Sequence, residues 1–130
     1  MWRQWSMAAL PTTLDALQIT DQSRVVVVGR KSFGHLNRSA LAATHPDLRA
    51  GLRNPVPEDL LTINRTGRDL GLRFLDVHEA LCGGADALSC PIFDGNGQLL
   101  SHDGGHLTED GARYLADRLA PQLSEIITGS

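Results

Sequence analysis

The sequence predicts an α/β fold, and two observations carry that expectation. Val25-Val-Val-Val28 is an unbroken β-branched run closed by Gly29, as strands buried on both faces are in parallel sheets. Around it, stretches with helical apolar spacing alternate with short strand-like runs. The chain has 130 residues, 42% of them hydrophobic and 21% charged, which fits one soluble domain spanning 1–130 with its core over about 12–127. Only six residues are aromatic, so the core must rest on Leu, Val, Ile and Ala. Twelve basic against fifteen acidic residues give a charge of −3 with no basic run, which argues against a nucleic-acid partner.

Before the valine run, Pro11 suits a helix start, and Leu14 and Leu17, with Gln18 beside them, give a partial stripe, so a helix is expected over Thr12 to Ile19. Asp21 to Arg24 reads as a turn. Gly29 is followed by a polar loop, Arg30 to Asn37, at the carboxyl end of the strand, where open α/β sheets place their ligands. Arg38 to Leu52 is weakly helical and is broken at Asn54-Pro-Val-Pro57. Glu58 to Leu70 reads as a helix with Leu60, Leu61, Ile63 and Asn64 inward and Gly71 as its stop. Leu72 to Val77 is a short strand, and His78 to Leu81 a single helical turn. Ile92 to Leu100 reads as a hairpin about Asn96-Gly97. The longest helix runs from Glu109 to Ile127, capped by Thr108, with Ala112, Leu115, Leu119, Leu123 and Ile126 inward and a kink at Pro121.

No window is apolar enough for a membrane helix, and the first ten residues make a poor signal peptide. The two tryptophans, Trp2 and Trp5, are expected to cap an apolar edge of the domain. Cys82 and Cys90 are the only cysteines. Their spacing permits a short disulfide loop, worth about 3 kcal/mol or less, and equally permits two reduced thiols.

One stretch looks chemical: Asp103-Gly-Gly-His-Leu-Thr108. An Asp three residues before a His, separated by glycines on a loop, can hold the imidazole tautomer and stabilise its protonated form. His106 could then serve as a general base near neutral pH. Three other readings compete: a plain Asp-Gly turn, a metal site on His102, Asp103 and His106, and a structural histidine beside the last helix.

The run from Leu81-Cys82 through Cys90 to Ser101-His-Asp-Gly-Gly-His-Leu-Thr-Glu-Asp-Gly-Ala112 resembles the C-terminal part of an SGNH hydrolase domain. It resembles most the SGNH domains fused to, or working beside, membrane acyltransferases that O-acylate bacterial surface polysaccharides. That group ends in an Asp-x-x-His-Leu-Ser/Thr-x-x-Gly-Ala block before a helix, and many members carry a cysteine pair shortly upstream. The resemblance covers roughly residues 12–127. It implies a three-layer α/β/α sandwich of flavodoxin-like type with a small parallel sheet, Asp103 and His106 as the catalytic Asp and His, and no cofactor. It further implies a Cys82–Cys90 disulfide, an extracytoplasmic home, and an acyl ester or polysaccharide as substrate.

The family's nucleophile is a Ser in a Gly-Asp-Ser motif early in the domain, and no Gly-Asp-Ser occurs in this chain. Asn37 and Asn64 lack the context of the oxyanion-hole residues, and Ser32, after a core strand, is a weak substitute for the missing serine. The expectation is therefore an incomplete SGNH-type fold. Either it is the C-terminal portion of an esterase or O-acyltransferase domain whose serine half lies elsewhere in a longer protein or on another chain, or it is an inactive binding module. A missing half also predicts that Val25 to Val28 borders an open sheet edge, with self-association or a marginal monomer as the consequence.

Overall fold

In the computed structural model, which describes residues 6–129, the chain is α/β with a small parallel sheet. β1 (Val26–Val28) and β3 (Arg73–Leu75) run parallel, with Val27 opposite Phe74. Side chains alternate across a strand, and β3 uses this to hold a helix on each face. Phe74 packs under α3 (Glu58–Asp69), so closely that a Cβ at Gly67 would lie 2.8 Å from its ring. On the other face Leu75 shares the main core with Leu119 of α5 (Glu109–Thr128), and Arg73 donates to the Ile126 carbonyl of the same helix at 2.9 Å. The layering is helix, sheet, helix.

Most expected elements are present with shifted bounds. α1 is Leu10–Ala16 behind a 3-10 turn at Met7–Ala9, and it stops before Gln18, whose φ of 58° is left-handed. In α3, Leu60 and Asn64 are buried as expected, four apart on one face. α4 (Val77–Cys82) is longer than a single turn, because Asp76 caps it by accepting from the Glu79 amide. α5 begins where Thr108 accepts from the Gly111 amide and continues through Pro121. Its buried stripe is narrower than the periodicity suggests: Leu119 is buried, whereas Ala112 and Leu123 are exposed.

Three expectations need correction. The valine strand is not sandwiched in the middle of a sheet. Among the described residues it has β3 as its one strand partner, and Val26 and Val28 are 37% and 58% exposed while Val27 is buried. The run from Arg38 to Leu52 is not one helix: α2 spans only Arg38–Ala42, and a 3-10 turn at Pro46–Leu48 starts at the proline, which cannot continue an α-helical ladder. The segment after it forms β2 (Arg53–Pro55), antiparallel to β4 (Ser89–Pro91), a pair too short and too rich in proline for periodicity to reveal. The expected hairpin over Ile92 to Leu100 is reduced to one bridge between Phe93 and Leu99, its turn held by the Asp94 carboxylate.

Cys82 and Cys90 form a disulfide joining α4 to β4, with Cα atoms 4.4 Å apart. They sit in the main core beside Phe33, Leu81 and Leu100. Among the described residues no helix is long and apolar enough to cross a membrane. Trp2 and Trp5 lie outside the described residues.

Candidate active site

The Asp103–His106 loop is built by close backbone approaches that only glycine permits. Gly104 has φ +94°, and a Cβ on it would stand 2.0 Å from the Gly34 carbonyl oxygen. Gly34, also left-handed at +74°, lies in turn against the Pro55 carbonyl. The loop after β1, the strand β2 and the Asp103–His106 loop are thereby pressed into one layer. Phe33 donates its amide to the Gly104 carbonyl at 2.9 Å, and Asn54 donates to the carbonyls of Phe33 and His35. Lys31 adds a hydrogen bond from its ammonium to the Gly105 carbonyl. Further back, the fully buried Asn64 amide pairs with both backbone groups of Arg30, at 2.8 and 2.9 Å.

Under the loop lies Ser101, with no exposed surface. Its Oγ donates to the His106 carbonyl at 2.7 Å and accepts from the Gly104 amide at 2.9 Å, while the His102 amide donates to the same His106 carbonyl at 3.0 Å. Downstream, Thr108 donates its hydroxyl to the Leu99 carbonyl, and a Cβ on Gly111 would stand 2.0 Å from the Leu100 carbonyl oxygen. The start of α5 is locked against residues 99–101.

On this base Asp103 and His106 meet. Asp103 Oδ1 accepts from the amides of Gly105 at 2.9 Å and His106 at 2.8 Å, and its Oδ2 lies 2.7 Å from His106 Nδ1. The His106 backbone N–H, then its imidazole N–H, then the Gly105 N–H hold the Asp103 carboxyl well below the usual carboxylate range. An ionised carboxylate only accepts, so Nδ1 carries a proton, and in the neutral tautomer this selects, the lone pair lies on Nε2. Among the described residues nothing hydrogen-bonds Nε2. Both side chains face solvent, His106 84% exposed and Asp103 55%.

The other candidates fall into local roles. Both oxygens of Asp103 accept from N–H donors of Gly105 and His106, which spends them on the loop itself. Ser32 Oγ accepts from the Gly34 amide, as a turn serine does. Asn37 caps α2 by accepting from Ala40. Sequence reasoning missed Ser101, Lys31 and Asn54. Only Ser101 carried a signal, its position two residues before Asp103, and a serine there is not distinctive.

Compared with protein families, the chain matches the SGNH domain (fused to AT3 domains) over residues 4–121. The chain belongs to this SGNH family. Membership fits the helix–sheet–helix layering and supports an SGNH-type, acyl-related domain. No curated protein and no solved structure matches it.

Proposed function

We propose that this chain carries the Asp–His half of an SGNH-type serine esterase or O-acyltransferase site, and that the serine acts from outside these 130 residues. The observation that carries the reading is the 2.7 Å bond from His106 Nδ1 to Asp103, which leaves Nε2 free as a base. A serine hydroxyl brought to Nε2 would lose its proton to His106 as Oγ attacks an acyl carbonyl. His106 would return that proton to the leaving oxygen, and Asp103, staying ionised, would stabilise the transient imidazolium. Water would then release the acyl group in an esterase; a sugar hydroxyl would accept it in an O-acyltransferase.

The substrate we favour is an acylated cell-surface polysaccharide, with the serine supplied by a preceding segment, a partner chain or an associated membrane acyltransferase. An extracytoplasmic home is favoured by the Cys82–Cys90 disulfide, since such bonds persist in oxidising compartments. The test is to express the chain with the sequence encoded ahead of Met1 and to assay short-chain ester hydrolysis. An in-frame Gly-Asp-Ser segment, with activity that falls about 10⁴-fold on Asp103→Asn, is the expected result. Hydrolysis indifferent to both Asp103→Asn and His106→Ala would overturn the reading.

The exposure of His106 favours one second reading, an inactive binding module of the same fold, because water competes with an unshielded base. That reading predicts no turnover even when a Gly-Asp-Ser segment is joined to the chain.

A further inference from the structure

The charge around the Asp103–His106 loop runs against that of the chain as a whole. The chain carries −3, yet the loop after β1 holds three cations, Arg30, Lys31 and Arg38, and no carboxylate. The stretch it is pressed against, residues 99–108, holds one carboxylate, Asp103. Three cations against one carboxylate leave these two segments at +2. The two acids that follow, Glu109 and Asp110, both face Arg113.

These cations are also unspent. Among the described residues most arginines are occupied: Arg68 and Arg113 by carboxylates, and Arg49, Arg53 and Arg73 by backbone carbonyls. Arg30 and Arg38 are exposed, and among the described residues their side chains meet no carboxylate and make no hydrogen bond. Lys31 is half-buried, and its ammonium donates to the Gly105 carbonyl, one residue from His106. That carbonyl is neutral and takes one of three N–H groups, so a full positive charge and two donors remain beside the candidate base. The bond to Gly105 fixes this charge at the lip of the site.

We propose that Lys31, with Arg30 and Arg38 adding to its field, binds an anionic group of the substrate, a carboxylate or a phosphate, next to the bond on which His106 acts. The inference rests on the reading of Asp103 and His106 as the base half of an acyl-transfer site and deepens it: the acylated sugar carries or adjoins a negative charge. Hydrogen bonds from an ammonium to an anionic oxygen are roughly twice as strong as neutral ones, and a positive rim draws anions toward the site. Asp103 does not compete for Lys31, because its oxygens already accept three N–H groups of its own loop.

The test measures binding by the whole chain and needs neither a serine nor turnover. The amide NMR signals of Gly105 and His106 are followed while the chain is titrated with methyl glucuronide, methyl phosphate or the uncharged methyl glucoside. Saturable shifts with one or both anions and none with the glucoside are expected, and the tighter anion tells a carboxylate from a phosphate. Added salt should weaken the binding. Lys31→Gln keeps an N–H for the Gly105 carbonyl but removes the charge, and should bind at least about tenfold more weakly, whereas Lys31→Arg should retain binding. No saturable shift with either anion, equal binding of the glucoside, or unchanged affinity in Lys31→Gln would each overturn the inference. Because no ester is cleaved, that outcome leaves the Asp–His reading standing, and a chain that binds the anion but never hydrolyses an ester fails only the latter.

Discussion

Two stretches of this chain, both expected from the sequence to matter, are held in opposite ways. Residues 99–111 are locked from several sides: Ser101 beneath, Thr108 against Leu99, Phe33 and Lys31 from the loop after β1, and two glycines in contact with backbone. Among the described residues the valine strand has one partner strand, and two of its three side chains are exposed. The main core tells the same story, since every one of its buried members except Phe33 comes from residue 56 onward. The difference teaches that the Asp–His loop owes its geometry to the back part of the chain, whereas the front part keeps apolar surface in water.

That comparison can be broken by substitution. The largest effect is expected at Gly104→Ala, where a methyl would collide with the Gly34 carbonyl at a left-handed position. A loss of about 3 kcal/mol or more in denaturant unfolding is expected, at the upper end of overpacking costs. The contrast is Gly51→Ala, with nothing within 4 Å of the added carbon, which should change stability very little. Next comes Ser101→Ala, which strips a buried donor from the His106 carbonyl and an acceptor from the Gly104 amide. It should cost about 1–3 kcal/mol and loosen His106, seen as faster amide exchange over residues 102–106.

Lowering the pH probes the same loop more gently. The Asp103 carboxyl is depressed in the folded chain, so its pairing stabilises the fold above the ordinary carboxylate range and is lost as pH falls through its own lowered value. Carboxyl-carbon NMR should find Asp103 still ionised near pH 3, below the ~3.9 of an unperturbed Asp. The smallest effect belongs to the other region. Val28→Thr should shift stability by no more than about 0.5 kcal/mol, while weakening any self-association measured by sedimentation. A cost at Val28 equal to that at Ser101 would erase the contrast.

Legibility in the sequence followed range. Caps at Thr108 and the inward face of α3 were readable because helix chemistry is local. The Asp103–His106 pair was readable for the same reason, both residues lying on one four-residue loop. What stayed hidden depends on contacts distant in sequence. Four valines in a row look the same whether a sheet covers them or solvent does. The β2–β4 pair joins segments of three residues each that lie far apart in the chain. Asn54 and Lys31 reach the site only because Gly34 and Gly104 let two backbones meet.

The central claim is that His106 is a working base whose serine is not among these residues, and a serine-reactive phosphonate ester tests it most directly. Incubated with the chain alone and read by mass spectrometry of its peptides, the reagent should leave every serine unlabelled. With a Gly-Asp-Ser segment joined to the chain, that serine should be labelled, and His106→Ala should abolish the labelling. Labelling of Ser32 or Ser101 in the chain alone, dependent on His106, would contradict the account.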